Sequence, residues 1–281
     1  MPELPEIEVT AELLSTRVNG LKTVNTTVRG VSTLKSFNPP LHDIHGQVIK
    51  GFRRIGKHML IDFGNDLTLL VHLMSAGRVQ LFDKPGSPKD RITKMTLLLE
   101  DLTELRLREF GTKQSMWAKL LYTKDVATEE SISTLGPEAW PDPPAFSELL
   151  DSPRPLNALL RDQRVIAGVG RSWADEILNE ARLSPFKRGD TLTEEEATAL
   201  REATVFTLQS AIDHYREVLS IPIPDKLPMP LKVHRMEGTP CPQCAEELKP
   251  VYFDNHTISY CPSCQTGGKI LKDRRLSKLL K

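Results

Sequence analysis

The sequence predicts an α+β chain of several domains: a short helix and a strand-rich segment, then a helical segment, then a small cysteine-held ribbon. Three observations predict it. Short apolar runs separated by turn residues dominate from about residue 20 to about residue 125. Helical spacing takes over from about residue 145, and all four cysteines fall in two CxxC pairs near the end.

The first element is a helix. Ile7, Ala11, Leu14 and Val18 recur at spacings of four and three, Pro5 suits the first turn, and Glu6 and Glu8 favour the positive end of the helix dipole. Pro2 and Glu3 precede this helix and are expected to cap nothing, so they ask for another explanation. If Met1 is removed, Pro2 becomes a secondary amine with a pKa of roughly 7.7 to 8. Such an amine attacks aldehyde-like carbon to form an iminium, and a neighbouring carboxylic acid can supply a proton.

Two hairpins follow, HMLIDFGNDLTLLVHL turning at Gly64, Asn65 and Asp66, and KMTLLLEDLTELRLREF turning near Asp101. Strands at this spacing suggest a sandwich or barrel. The Pro-rich stretch LGPEAWPDPPAF reads as a boundary. Beyond it, Thr193 and Glu196 form a capping box ahead of a long helix with Ala197, Leu200, Leu208, Ile212 and Tyr215 on its apolar face. Between the helices, DQRVIAGVGRSWADEIL breaks and restarts a helical pattern at the glycines, so backbone amides point outward at a new N-terminus. No strand precedes these glycines and the third glycine of a dinucleotide fingerprint is missing, which excludes that motif. A second Pro-rich connector, IPIPDKLPMPL, leads to the ribbon.

Composition bounds the function. The 281 residues carry 37 basic and 37 acidic groups, so net charge gives no argument for a nucleic-acid partner and any basic surface is local. The final run KILKDRRLSKLLK is such a candidate. No apolar run is long enough to span a bilayer, and no signal peptide is recognisable, so the expectation is a cytoplasmic protein without membrane contact. In that compartment CPQC (Cys241, Cys244) and CPSC (Cys261, Cys264), sixteen residues apart, fit one structural zinc ion held by four thiolates. Disulfides would require an oxidising compartment.

PELPE at the N-terminus, AGVGRSWADEIL in the middle and the two CxxC pairs followed by Gln265 closely resemble, in that order, the Fpg/Nei family of DNA glycosylases. The resemblance runs to about residue 266. It implies a β-sandwich joined to a helix-two-turn-helix domain carrying a zinc ribbon. The expected boundaries are 1–125 for the catalytic sandwich, 126–145 for a linker, 146–228 for the helix-two-turn-helix domain, 229–266 for the ribbon and 267–281 for a basic tail. It implies a bifunctional glycosylase and AP lyase acting as a monomer on double-stranded DNA with damaged bases or abasic sites, nucleoid-associated if bacterial. Pro2 would be the nucleophile at C1′, Glu3 the proton donor to the leaving base, Glu6 a pocket-shaping acid and Lys57 a phosphate-contacting strand lysine. Arg108 and Phe110, in REFG, match the loop that enters the duplex, which an enzyme extruding a base must fill. HLMSAG places Met74 one position early and Ser75 at the third wedge position. Gly170 begins the phosphate-facing turn.

The chain also departs from the family. Arg171 stands where an asparagine usually holds phosphate, His256 replaces an arginine of the ribbon, Asn157 replaces a frequent lysine, and Glu109 replaces a basic neighbour of the wedge. Three of these four changes remove positive charge, which should weaken phosphate binding and flatten its salt dependence, with the basic tail expected to compensate. The short connector lacks the long cover loop of the 8-oxoguanine branch and favours oxidised pyrimidines, ring-opened purines or another lesion. Two alternatives remain: a binder of abasic or altered DNA without efficient chemistry, and a glycosylase for a bulky, alkylated or crosslinked lesion.

Overall fold

The computed structural model describes residues 2–30, 32–112, 115–253 and 256–272. Met1 and most of the basic tail, from residue 273, lie outside the described residues, and so do the expectations that rest on them. The chain packs as two compact units, one of residues up to Thr134 together with Ile212–Pro228, the other of Leu135–Ala211 with the residues from Met229 onward.

The first unit opens with α1 (Leu4–Val18), whose buried residues include Ile7, Ala11, Leu14 and Val18, as the spacing predicts. Its N-cap is Glu3, which forms a capping box with Glu6. This corrects the expectation that Glu3 caps nothing: the helix begins one residue before Pro5, so Glu3 falls at the position whose acceptor satisfies the first-turn N–H groups. Eight strands follow: β1 (Thr23–Val28), β2 (Ile49–Ile55), β3 (His58–Phe63), β4 (Leu67–His72), β5 (Gly77–Phe82), β6 (Thr93–Leu99), β7 (Glu104–Glu109) and β8 (Trp117–Tyr122). They form two four-stranded antiparallel sheets, ordered β1-β6-β7-β5 and β2-β3-β4-β8. Both expected hairpins are present, β3–β4 and β6–β7.

One apolar core joins the inner faces of both sheets to α1, with Met59, Ile61, Leu69 and Val71 from one sheet and Val79, Met95, Leu97 and Leu107 from the other. Burying each such side chain is worth about 1.5–3 kcal/mol. Gly77 opens β5 because a Cβ there would lie 2.4 Å from the Leu73 carbonyl oxygen. The chain can therefore double back tightly between β4 and β5, with Gly77 N–H donating to Leu73 C=O at 2.8 Å. The unit continues into α2 (Glu130–Ser133).

The second unit contains α3 (Phe146–Leu149), α4 (Leu156–Arg161), α5 (Arg171–Glu180), the long α6 (Glu194–Val218) up to Ala211, the hairpin β9 (Lys249–Phe253) and β10 (His256–Tyr260), and α7 (Pro262–Thr266). The Thr193 and Glu196 box is formed: Thr193 N–H donates to Glu196 at 3.0 Å and Glu196 N–H to Thr193 Oγ1 at 3.2 Å. The glycines restart the helix as expected, with Gly168 at φ +103° and Gly170 as the N-cap of α5. No described helix is long and apolar enough to cross a membrane.

Candidate active site

Around the start of α1, Pro2, Glu3 and Glu6 are all buried. Glu6 accepts twice: Glu3 N–H donates to Oε2 at 2.8 Å, and the Tyr215 hydroxyl donates to Oε1 at 2.8 Å. Burial raises the Glu6 carboxyl above the usual carboxylate range, the Glu3 charge adds to this, and the two hydrogen bonds oppose it. Burial likewise pushes the Tyr215 phenol above its ordinary value, with the Glu6 charge adding, so it remains a neutral donor. The Arg78 guanidinium, lowered by burial, lies in the field of Glu6, Tyr215 and Asp225. Sequence reasoning took Tyr215 only as an apolar-face residue; its helical spacing was visible, its hydroxyl partner 209 residues away was not.

Lys57 is not on a strand but in the turn joining β2 to β3, and it is 7% exposed rather than solvated. Its ammonium charge reaches His72. Burial lowers His72 to about 3, with His58 and Lys57 adding, and burial lowers His58 to about 4. Both rings are neutral at pH 7. His72 stacks on Trp117 with centroids 5.6 Å apart, and Met74 N–H donates to its Nδ1 at 3.1 Å. The accepting Nδ1 leaves the ring proton on Nε2. His72 is a further candidate that sequence reasoning passed over, although it stands inside the quoted HLMSAG.

The expected wedge residues come together. Met74 adopts a left-handed φ of +50°, Ser75 is exposed, and Phe110 N–H donates to Ala76 C=O at 3.2 Å, tying both loops side by side. Arg108 lies 5.0 Å from the Phe110 ring centroid. Glu109 is buried and accepts from Ser115 N–H at 2.7 Å and Met116 N–H at 3.0 Å, so its carboxylate closes the loop after β7. Arg108 is itself held: Nη1 donates to Gln80 Oε1 at 2.9 Å and Asp225 Oδ1 at 3.1 Å, and Asp90 lies 3.7 Å from Nε. Gln80 in turn donates to Ile223 C=O and to Asp225 Oδ1. The first half of the Pro-rich connector thus packs within the sandwich unit.

In the second unit, Arg171 is exposed at the start of α5 and Gly170 is buried before it. Asp175 and Glu176 of α5 tie down the segment leading to the ribbon. Glu176 accepts from Val233 N–H at 2.9 Å and His234 N–H at 2.8 Å, while Asp175 pairs with His234 Nδ1 at 2.7 Å. Burial raises Asp175 to about 6 against the pull of His234. His256 is 7% exposed, with Nε2 2.5 Å from Arg161 Nη1, and Asn157 is 1% exposed.

The sulfurs of Cys241, Cys244, Cys261 and Cys264 lie within 4.8 Å of one another. Cys244 and Cys261 are 3.5 Å apart, and Cys241 and Cys264 are 4.0 Å apart. Gln243 N–H points at Cys241 Sγ and Cys264 N–H at Cys261 Sγ, each at 3.4 Å. Four thiols at these separations can hold a metal ion, since a tetrahedral ion with bonds of about 2.3 Å sets its sulfurs about 3.8 Å apart.

An eight-stranded sandwich behind a capped helix, a glycine-started helix pair and a four-thiol ribbon define a two-domain architecture, and comparison with known proteins places it. Residues 1–113 match the formamidopyrimidine-DNA glycosylase N-terminal domain, and residues 135–221 match the H2TH domain of the same enzymes. The formamidopyrimidine-DNA glycosylase of Listeria innocua is 32% identical over an alignment covering 94% of this chain and 100% of the relative. The crystal structure of the MutM (Fpg) protein of Thermus thermophilus agrees with a TM-score of 0.81 at 31% identity, covering 96% of this chain and 100% of that one. Lactococcus lactis Fpg, in complex with DNA containing N7-benzyl-Fapy-dG, gives a TM-score of 0.84 at 25% identity over 94% of this chain and 100% of that one. The chain belongs to the formamidopyrimidine-DNA glycosylase (Fpg/Nei) family.

Proposed function

We propose that this protein is a bifunctional DNA glycosylase and AP lyase, acting as a monomer in the cytoplasm on double-stranded DNA with damaged bases or abasic sites. The observation that carries the reading is the buried group at the head of α1, where Pro2 adjoins two carboxylates, one of them fixed by Tyr215. The Pro2 nitrogen lone pair forms a bond to C1′ as the glycosidic bond breaks, and the departing base takes its electron pair and a proton from Glu3. Loss of the nitrogen's proton and opening of the sugar give an iminium. This acidifies the C2′ hydrogen, so β- and then δ-elimination cut the strand. Lys57 holds phosphate, with Arg171 and Gly170 at the start of α5 as a second phosphate site. Ser75, Met74, Phe110 and Arg108 fill the hole left by the extruded base.

Zinc is the ion that the four thiolates of Cys241, Cys244, Cys261 and Cys264 suit; saturated by them, it folds the ribbon and touches no reacting atom. The test of the function is borohydride reduction in the presence of abasic duplex, with the N-terminus first verified by mass spectrometry. A covalent adduct through Pro2 is expected. Its absence from correctly trimmed protein overturns the reading.

Two further outcomes are expected. Tyr215→Phe removes a hydrogen bond that draws the Glu6 pKa down, leaving burial and the Glu3 charge to raise it. If ionised Glu6 supports turnover, the acid limb of the trapping-rate profile then moves to higher pH, while circular dichroism is unchanged. Asp225→Asn releases Arg108 from an ion pair whose carboxylate is 58% exposed. An exposed pair of about 0.4–1 kcal/mol converts to about two- to fivefold tighter binding of abasic-analogue duplex, read by fluorescence anisotropy. Weaker binding would mean that Arg108 works from its Asp225-held position.

A further inference from the structure

Under the glycosylase reading, Asn157 and His256 occupy DNA-facing positions, yet both are buried and both turn toward one guanidinium. Arg161 Nη1 donates to Asn157 Oδ1 at 3.0 Å and lies 2.5 Å from His256 Nε2. A guanidinium has no lone pair to offer, so Nε2 must be the acceptor, and the ring is neutral with its proton on Nδ1. Asn157 is committed on its other side, where Nδ2 donates to Asp175 at 3.3 Å. Neither residue therefore brings a positive charge to this surface.

Both acceptors are neutral, so they orient the guanidinium without cancelling its charge. They come from opposite ends of the unit's sequence, Asn157 near the start of α4 and His256 at the start of β10. Arg161 closes α4 and is half-buried. A guanidinium held by a helix and a ribbon strand has lost most of its rotamer freedom before any ligand arrives, which favours recognition of an anionic oxygen pair.

We propose that Arg161, oriented by Asn157 and His256, is a DNA phosphate-binding residue of this protein and supplies the positive charge that those two positions lack. The inference rests on the glycosylase reading and extends it to a residue that neither the motifs nor the charge count singled out.

The test compares wild type with Arg161→Gln, Arg161→Lys and Arg161→Ala by anisotropy on a duplex carrying a tetrahydrofuran abasic-site analogue, from about 50 to about 200 mM salt. Arg161→Gln keeps an amide donor but no charge. It is expected to bind about three- to tenfold more weakly, with the slope of log affinity against log salt reduced by about 0.9, the amount for one phosphate contact. Arg161→Lys is expected to keep the wild-type slope. Metal content and melting temperature identify any variant whose ribbon is lost, and if Arg161→Ala is such a variant the Gln and Lys pair decides. An Arg161→Gln protein with the wild-type slope, whatever its affinity, overturns the inference and leaves the enzyme reading intact. Failure of the wild-type protein to bind the duplex overturns both.

Discussion

Glu3→Gln is expected to abolish base excision while leaving covalent trapping on preformed abasic DNA. Of the two carboxylates beside Pro2, Glu6 has each oxygen accepting a hydrogen bond, from Glu3 N–H and from Tyr215, and so acts as a fixed acceptor. Glu3 remains as the proton donor to the leaving base. A positioned general acid contributes about a hundred- to ten-thousandfold, so excision by Glu3→Gln should fall by that factor. An abasic sugar has no base left to protonate, and borohydride trapping on it should survive. Glutamine retains a carbonyl oxygen for the capping box, so the melting transition should move by less than about 1 kcal/mol. Full excision activity in the variant would remove Glu3 from the mechanism. Loss of trapping in a folded variant would assign it to the nucleophile's activation instead.

Cys261→Ser, or chelation at neutral pH, is expected to unfold the ribbon and weaken binding to abasic-analogue duplex more than tenfold. The ribbon's small apolar cluster consists of Val233, Leu248, Cys241 and Cys261, so two of its four buried members are themselves ligand thiols. A core that small cannot stabilise a fold unaided, and structural zinc supplies roughly 10–16 kcal/mol of apparent binding energy in comparable peptides. The hairpin β9–β10 carries His256, so losing the ribbon also removes one of the groups that orient Arg161. Metal content by elemental analysis, the melting curve and anisotropy check the result. A metal-free variant with unchanged melting and affinity would show that the ribbon folds without an ion.

The features legible in the sequence are those with short-range signatures. The apolar stripe of α1, the two hairpin turns, the Thr193 and Glu196 box and the CxxC pairs each declare themselves within a few residues, because helix and strand periods and turn chemistry are local. What escaped depends on tertiary pairing. The capping role of Glu3 was missed because the helix starts earlier than Pro5 suggests, and Lys57 reads as solvated because nothing local reveals the histidine and tryptophan cluster that buries it. Tyr215 on Glu6, Asp225 on Arg108 and Arg161 on His256 join residues 209, 117 and 95 positions apart. Such contacts leave no periodicity, and a charged side chain looks the same in sequence whether it meets solvent or a buried partner.

Gln80 carries a consequence for chimaeric enzymes. It is 1% exposed, and its amide nitrogen serves both the Ile223 carbonyl and the Asp225 carboxylate of the connector. Transplanting a longer loop from a relative in place of residues 221–228 would strand that amide in the interior, at a cost of about 1–3 kcal/mol. Loop grafts intended to alter lesion preference should therefore exchange position 80 together with the segment it supports.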